Sequence, residues 1–270
     1  MERKIGFLGG GAMAEAIISG ICQQVVSADN IYVFDIDKVK LNTLSTKYGI
    51  KTCSDPVELV HSVNVLLLAV KPQIFPLAIS SDITSTINKN TLIVSIMGSV
   101  SIEQIKSKFP NNPIIRTMPN TPLAVKAGMT AIVPDTNVST NDIEFVNSIF
   151  SACGEIIQAS EKQIEAITAI SGCGPGYVFM LIDALADAGV SAGLTREASI
   201  KLAAQTFMGA GKMVIETKEH PAVLRDKVTS PGGTTIAGIR ILEKNAVRSA
   251  FVETVHGVIQ RSQEILKENK

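Results

Sequence analysis

The stretch GFLGGGAMAEA, residues 6–16, constrains the fold more than any other segment of the chain. It lies between a short β-type apolar run, KIGFLG (4–9), and a stretch at 12–24 in which Ile17, Ile18 and Ile21 recur at helical spacing. Gly9, Gly11 and Ala14 stand at the G-x-G-x-x-G/A spacing. That spacing suits a strand–turn–helix unit that bends sharply at Gly9, exposes its backbone at Gly11 and packs helix on strand at Ala14. Where such a helix begins, the amides of Gly10, Gly11, Ala12 and Met13 lack intrahelical partners, and the positive end of the helix dipole stands behind them. A pyrophosphate is the ligand such a turn receives, so residues 9–13 are expected to bind a dinucleotide.

The rest of the first half extends this unit. IYVFD (31–35), NVLLLAV (64–70), TLIVSI (91–96), NPIIRTM (112–118), MTAIVP (129–134) and CGEIIQ (153–158) read as strands alternating with helical stretches. Continuous apolar runs of this kind belong to parallel strands covered on both faces, and the alternation predicts a doubly wound parallel sheet. Beyond residue 160 the β-rich runs cease. Helices are expected near 161–170, 174–190, 195–217, 221–229, 233–244 and 246–268. The predicted fold class is α/β: a Rossmann-type dinucleotide-binding domain over 1–160, then an all-helical domain over 161–270. YVFMLIDALADAGV (177–190) is apolar almost all round, interrupted chiefly by Asp183 and Asp187. A helix like that must be buried on most sides. A helical unit of roughly 110 residues has little means of wrapping it alone, so a second copy of the chain is expected to complete the burial.

Composition excludes several classes of partner. Hydrophobic residues make up 46% of the 270, enough for a sizeable core, and the formal net charge is +0, which gives no basic excess for nucleic acid or an anionic membrane. Cys22, Cys53, Cys153 and Cys173 are scattered and show no metal-type spacing, and they read as reduced thiols in a cytosolic protein. The charged start MERK is followed by three glycines and Glu15, a poor signal-peptide core. VNVLLLAV (63–70) falls far short of the ~20 apolar residues needed to span a bilayer. The expected location is the cytoplasm, with no metal, nucleic acid or membrane involved.

Asp35, at the end of the second run, lies about 24 residues beyond Gly11, near the place of the acid that holds a ribose 2′-hydroxyl in NAD-binding proteins. A carboxylate there repels a 2′-phosphate and leans the cofactor toward NADH, while Lys38 and Lys40 soften the preference. Asp37 is an alternative for that role, and Asp35 could instead cap the next helix. AVKPQ (69–73) leaves the sheet at its carboxyl edge, where ligands bind. Ala69, Val70, Lys71 and Pro72 are expected to run along the nicotinamide ribose, with the Lys71 amine toward solvent or phosphate rather than in catalysis. Arg116 and Asn120 either reach the cofactor cleft or fix their own loop, and the latter reading is preferred. Asp183 and Asp187 read as a polar stripe, and His61, His220 and His256 as structural or solvated.

A second glycine cluster stands near the other end, in VTSPGGTTIAGIRILE (228–243). Pro231 sets the turn, Gly232 and Gly233 let amides crowd at a helix start, and Ser230, Thr234 and Thr235 add hydroxyls. Such a site can receive a small carboxylate, or it is an ordinary helix cap with glycines for packing. It carries no titratable residue, so any chemistry there must come from a cofactor that the protein orients.

Four segments together carry a family resemblance: GFLGGGAMAEAI, RTMPNTP (116–122), SGCGPGYVFMLIDALADAG (171–189) and LRDKVTSPGGTTIAGIRILE (224–243). The chain resembles the pyrroline-5-carboxylate reductases nearly end to end. It departs from them in Cys173 where Ser is usual, Gly176 where Ala is common, and a third glycine in the first loop. The resemblance implies NAD(P)H-dependent reduction of Δ1-pyrroline-5-carboxylate to L-proline, the last step of proline biosynthesis. It also implies a homodimer or dimer-based oligomer, with a substrate site where the N-terminal domain faces a helical region shared between two subunits. Carried to matching positions, the Gly232 and Gly233 amides and the Ser230 and Thr234 hydroxyls bind the carboxylate, and Thr235 hydrogen-bonds the ring nitrogen as the catalytic residue. A β-hydroxyacid dehydrogenase would share the layout, but SGCGPGYVF lacks the Lys that family places there. A nucleotide sensor without turnover would have no use for a second anion site.

Overall fold

The computed structural model describes residues 2–268. By chain packing these residues divide into two compact units, one containing residues up to Gly172 together with the last turns from Arg261, the other Cys173–Gln260.

The first unit is built on eight strands: β1 (Ile5–Leu8), β2 (Ile31–Phe34), β3 (Lys51–Thr52), β4 (Val65–Leu68), β5 (Leu92–Ser95), β6 (Ile114–Pro119), β7 (Gly128–Pro134) and β8 (Gly154–Gln158). They lie in the order β3-β2-β1-β4-β5-β6-β7-β8. The direction of winding reverses between β1 and β4, which defines a crevice at the carboxyl ends of those strands. Helices α1 (Ala12–Ile21), α2 (Lys38–Tyr48), α3 (Pro56–Ser62), α4 (Phe75–Ala78), α5 (Ser81–Thr86), α6 (Ile102–Lys108) and α7 (Thr140–Ser151) connect them. Side chains of a strand alternate between faces, and the core follows this rule. Phe7, Leu67 and Val94 pack in one buried cluster, Leu66, Leu68 and Ile93 in the other. This two-sided burial is why the strands read as unbroken apolar runs.

Two features depart from the expected parallel sheet. β6 and β7 pair antiparallel. Only a short segment with a 3₁₀ turn, Thr121–Val125, joins them, too few residues for the crossover helix that parallel neighbours require. β3 has no counterpart among the expected strands: it has two exposed residues and no apolar pattern to betray it. The expected domain limit at 160/161 also differs from the packing. Residues 161–172, which include α8 (Ile164–Ile167), stay with the sheet because Ile164 is buried in the second cluster and Gly172 lies against Met118.

The second unit is helical: α9 (Gly174–Ser191), α10 (Arg196–Thr217), α11 (Pro221–Lys227), α12 (Thr234–Lys244) and α13 (Val247–Glu268), the last of which continues into the first unit. α9 and α10 cross closely through small residues. Ala186, Ser199 and Ala203 are buried, and a Cβ on Gly189 would come within 2.6 Å of Ser199 Oγ. Beyond this crossing little is covered. α12 has no buried residue, and Phe179 and Met180 on α9 are 63% and 65% exposed. The helical run Glu161–Ser191 is long and apolar enough to cross a membrane by length and composition, with a mean hydropathy of 1.4 in its most apolar window.

Candidate active site

The turn after β1 has the strain that its glycines permit. Gly9 sits at φ +106, and a Cβ there would meet the Ala69 carbonyl oxygen at 2.7 Å. Only glycine adopts this conformation without cost and lets the ends of β1 and β4 come so close. Its amide donates to Phe34 O at 2.8 Å, which ties the turn to β2 as well. Gly11 is the N-cap of α1, carries no side-chain cap, and has open space where a Cβ would stand. The first-turn amides of α1 are thereby left for a ligand.

Asp35 is bonded into this turn. One carboxylate oxygen accepts the Gly10 amide at 2.7 Å and the other the Asp37 amide at 2.9 Å. The capping role belongs to Asp37, which accepts from Val39 and Lys40 at the start of α2. Asp35 therefore brings a negative charge to the rim of the turn while holding one of the turn's own amides. Lys40 leans toward Asp37 at 3.8 Å.

A cleft of about 680 Å³ opens over these groups and contains Gly9, Gly11, Asp35, Ala69, Val70 and Lys71 among its walls. It lies at the reversal point of the sheet, where this topology binds ligands. Pro72 stands just beyond Lys71 and opens a 3₁₀ turn, Pro72–Ile74, that Lys71 caps only by its backbone. Lys71 itself is exposed. Ile36 and Leu77, 92% and 81% exposed, line the same cleft. Sequence reasoning misses both. The available signal is an apolar residue between two aspartates, which no core pattern explains.

Arg116 and Asn120 hold structure. Buried in β6, Arg116 donates to Glu161 Oε1 at 2.9 Å and to the Gly98 carbonyl. Burial pulls its pKa below the usual guanidinium range, and Glu161 opposes that pull. The Asn120 amide donates to Ser171 O and Oγ at 3.1 and 3.3 Å and accepts from the Met129 amide at 2.9 Å.

In the second unit, Ser230–Pro231–Gly232–Gly233 forms a tight turn in front of α12. The Gly233 amide donates to Ser230 O at 3.0 Å and Gly232 sits at φ +68, as a type II turn with Pro at its second position requires. The Gly233 amide is thus committed to the turn and is not the free donor expected from the sequence. Gly233 instead allows close packing: a Cβ there would lie 2.3 Å from Ser230 Oγ. Gly233 is the uncapped N-cap of α12, so the open helix-start donors are the amides of Thr234, Thr235 and Ile236, and the Gly232 amide in the turn makes no backbone bond either. Among the described residues, no other side chain engages the hydroxyls of Ser230, Thr234 or Thr235.

These two turns share a construction. Side chains of Asp37, Asp55, Ser101, Ser139 and Thr195 cap α2, α3, α6, α7 and α10; α4, α5, α8 and α9 also lack a side-chain cap, but among the described residues only α1 and α12 have glycine at the N-cap. Elsewhere Asp187 pairs with Arg196 at 2.6 Å and His220 caps α11. Among the described residues no cluster of three metal-ligating side chains occurs.

A doubly wound sheet with an uncapped glycine turn, an acid at the end of β2 and a cleft between them is the framework of a dinucleotide-binding domain, and comparisons with known proteins make the protein a nicotinamide-dependent oxidoreductase. Residues 4–99 match the family described as NADP oxidoreductase, coenzyme F420-dependent, and residues 161–265 match pyrroline-5-carboxylate reductase dimerisation. A pyrroline-5-carboxylate reductase of Synechocystis sp. is 43% identical over 99% of this chain and 100% of its own length. The solved structure of a pyrroline-5-carboxylate reductase from Coxiella burnetii superposes with a TM-score of 0.91 at 34% identity, covering 98% of each chain. One from Plasmodium falciparum, with NADP bound, gives 0.86 at 34% identity, covering 97% of each. The chain belongs to the pyrroline-5-carboxylate reductase family.

Proposed function

We propose that the chain reduces Δ1-pyrroline-5-carboxylate to L-proline with a reduced nicotinamide dinucleotide, as a soluble dimeric enzyme of the cytoplasm. The observation that carries this reading is the pair of helices, α1 and α12, that begin at glycine with open amides. One suits a pyrophosphate and the other a small carboxylate. When bound, the reduced nicotinamide supplies a hydride to the carbon of the C=N bond.

The protein's own groups, mostly main-chain amides, do the remaining work. Gly9 and Gly11 give the backbone its close approach to the pyrophosphate, with the amides of Ala12 and Met13 as further donors. Ala69, Val70, Lys71 and Pro72 line the path of the nicotinamide ribose. The Gly232 and Thr234 amides, with the Ser230 and Thr234 hydroxyls, hold the substrate carboxylate. Thr235 hydrogen-bonds the ring nitrogen, orienting the imine and relaying its proton from solvent. Once protonated, the imine accepts a hydride and becomes the neutral ring amine without a strong protein acid. What catalysis then needs is donor and acceptor carbons held ~3–3.5 Å apart and aligned.

Cofactor preference leans toward NADH. Asp35 places a carboxylate beside the turn, and its bonds to Gly10 and Asp37 keep it there. Lys38 and Lys40 moderate the repulsion of a 2′-phosphate, so NADPH is a slower alternative. The exposed apolar faces of α9 and α12, together with the dimerisation match, support association through the second unit. Loss of NADH absorbance on adding pyrroline-5-carboxylate, with proline as product, tests the activity. A protein that binds NADH yet leaves the imine unreduced overturns it.

A further inference from the structure

Away from the glycine turns, one polar assembly, with Arg116 buried and Glu161 half-buried, ties three parts of the first unit together. Arg116 is 7% exposed and its guanidinium reaches two acceptors, Glu161 Oε1 and the Gly98 carbonyl. Glu161 Oε1 also accepts the Ile102 amide at 2.7 Å, an otherwise orphaned donor in the first turn of α6. The assembly thus holds the loop between β5 and α6 at its middle, Gly98, and at its junction with α6, Ile102.

That loop leaves β5 beside the end of β4, the strand that runs into Ala69 and Val70 of the cleft. The Ile96 amide donates to Leu68 O and the Ala69 amide to Leu8 O, so the ends of β1, β4 and β5 stand side by side where Gly9 meets Ala69. Asp35 marks the adenosine ribose on the β2 side of the crevice. A dinucleotide bridging the glycine turn then carries its nicotinamide half to the opposite side, over β4 and β5. The loop beginning at Ile96 leaves the sheet on that side.

We infer that Arg116 is a positioning residue for the nicotinamide half of the cofactor, acting through the Gly98 carbonyl with Glu161 as its anchor. Arg suits the position because its two terminal nitrogens each reach one acceptor, Nη1 to Glu161 and Nη2 to Gly98, whereas the three donors of a Lys ammonium all radiate from one atom. This inference rests on the dinucleotide reading of the site but not on the identity of the imine substrate.

The test compares two ligands that share everything but the nicotinamide. Arg116→Lys and Glu161→Gln variants are titrated with NADH and with ADP-ribose, without substrate. The amide oxygen introduced by Glu161→Gln can still accept the Ile102 amide, so this milder variant carries the test if the buried Lys prevents folding. The expected result is a dissociation constant about tenfold higher for NADH and unchanged within about twofold for ADP-ribose, since a factor of ten is a modest positioning loss. Equal weakening of both ligands would mean a merely structural role, and unchanged affinity for both would mean none; either overturns the inference. Wild-type protein that shows this ligand difference against the variants but does not reduce pyrroline-5-carboxylate would sink the proposed activity and leave this inference standing.

Discussion

Asp35 Oδ2 accepts the main-chain amide of Gly10 at 2.7 Å, so the acid proposed to hold the ribose also braces the glycine turn before α1. Two substitutions separate these roles. Asp35→Asn keeps an oxygen acceptor but removes the charge, and should move the kcat/KM ratio of NADPH over NADH upward by about tenfold, the effect of one lost repulsion. Asp35→Ala frees the Gly10 amide as well and should weaken both cofactors. Steady-state kinetics with each cofactor distinguish the cases, and an unaltered ratio in Asp35→Asn would remove Asp35 from cofactor choice.

Gly9 and Gly11 should respond differently to the same methyl group. Gly9→Ala places a Cβ at positive φ and against the Ala69 carbonyl, costing about 1–2 kcal/mol for the backbone conformation alone. Its thermal midpoint should fall along with cofactor affinity. Gly11→Ala meets no protein atom and has an ordinary backbone conformation, so the fold should keep its stability while NADH binding weakens at least about tenfold. Calorimetry and NADH titration together check the pair.

At the second turn, Gly233→Ala drives a Cβ toward Ser230 Oγ and should disturb the carboxylate donors. The expected outcome is a raised KM for pyrroline-5-carboxylate with NADH affinity unchanged. Thr235→Ala should instead lower kcat by about 100-fold, the scale of a lost proton-handling group. Unchanged turnover in Thr235→Ala would show that the ring nitrogen needs no help from it.

Association through the second unit predicts a dimer that persists at micromolar concentration in sedimentation. Phe179, 63% exposed on α9, sits on the uncovered apolar face. Phe179→Glu should shift the protein to monomer and abolish activity if the apolar face is the dimer contact. A fully dimeric Phe179→Glu variant would move that contact elsewhere.

Burial pushes the thiols of Cys53 and Cys153 up to about 11, with Glu58 and Asp55 adding to the effect at Cys53. At pH 8 such a thiol is roughly one-thousandth ionised, and the thiolate is the reactive form. Native protein should therefore resist iodoacetamide at both positions, with labelling appearing only after denaturation. Mass spectrometry of the two peptides reports it directly.

Local rules reach a long way into this chain. Gly9, Gly11 and Asp35 could be assigned to one crevice, with Ala14 packed behind it, because strand, turn and helix follow each other within 35 residues and each residue type answers one local need. The six expected helices of the second half appear within a few residues of their predicted bounds, because apolar spacing and the glycines and prolines between them mark each one. β3 escaped notice because two exposed residues carry no pattern. The antiparallel turn from β6 to β7 escaped because the length of a connection, rather than the strands themselves, sets its direction.

Sequence alone also pointed to the chemistry: glycine at a helix start suggests open amides, and SPGGTT itself carries no titratable side chain, so any redox step there needs a cofactor to supply the electrons. Which amides remain open had to come from the folded chain. The Gly233 amide closes its own turn onto Ser230, while its neighbours stay free. So did the partnership of Arg116 with Glu161, 45 residues apart. Such a contact depends on the register of β6 and the path of the chain after β8, and a buried guanidinium takes whichever acceptors that packing brings within reach.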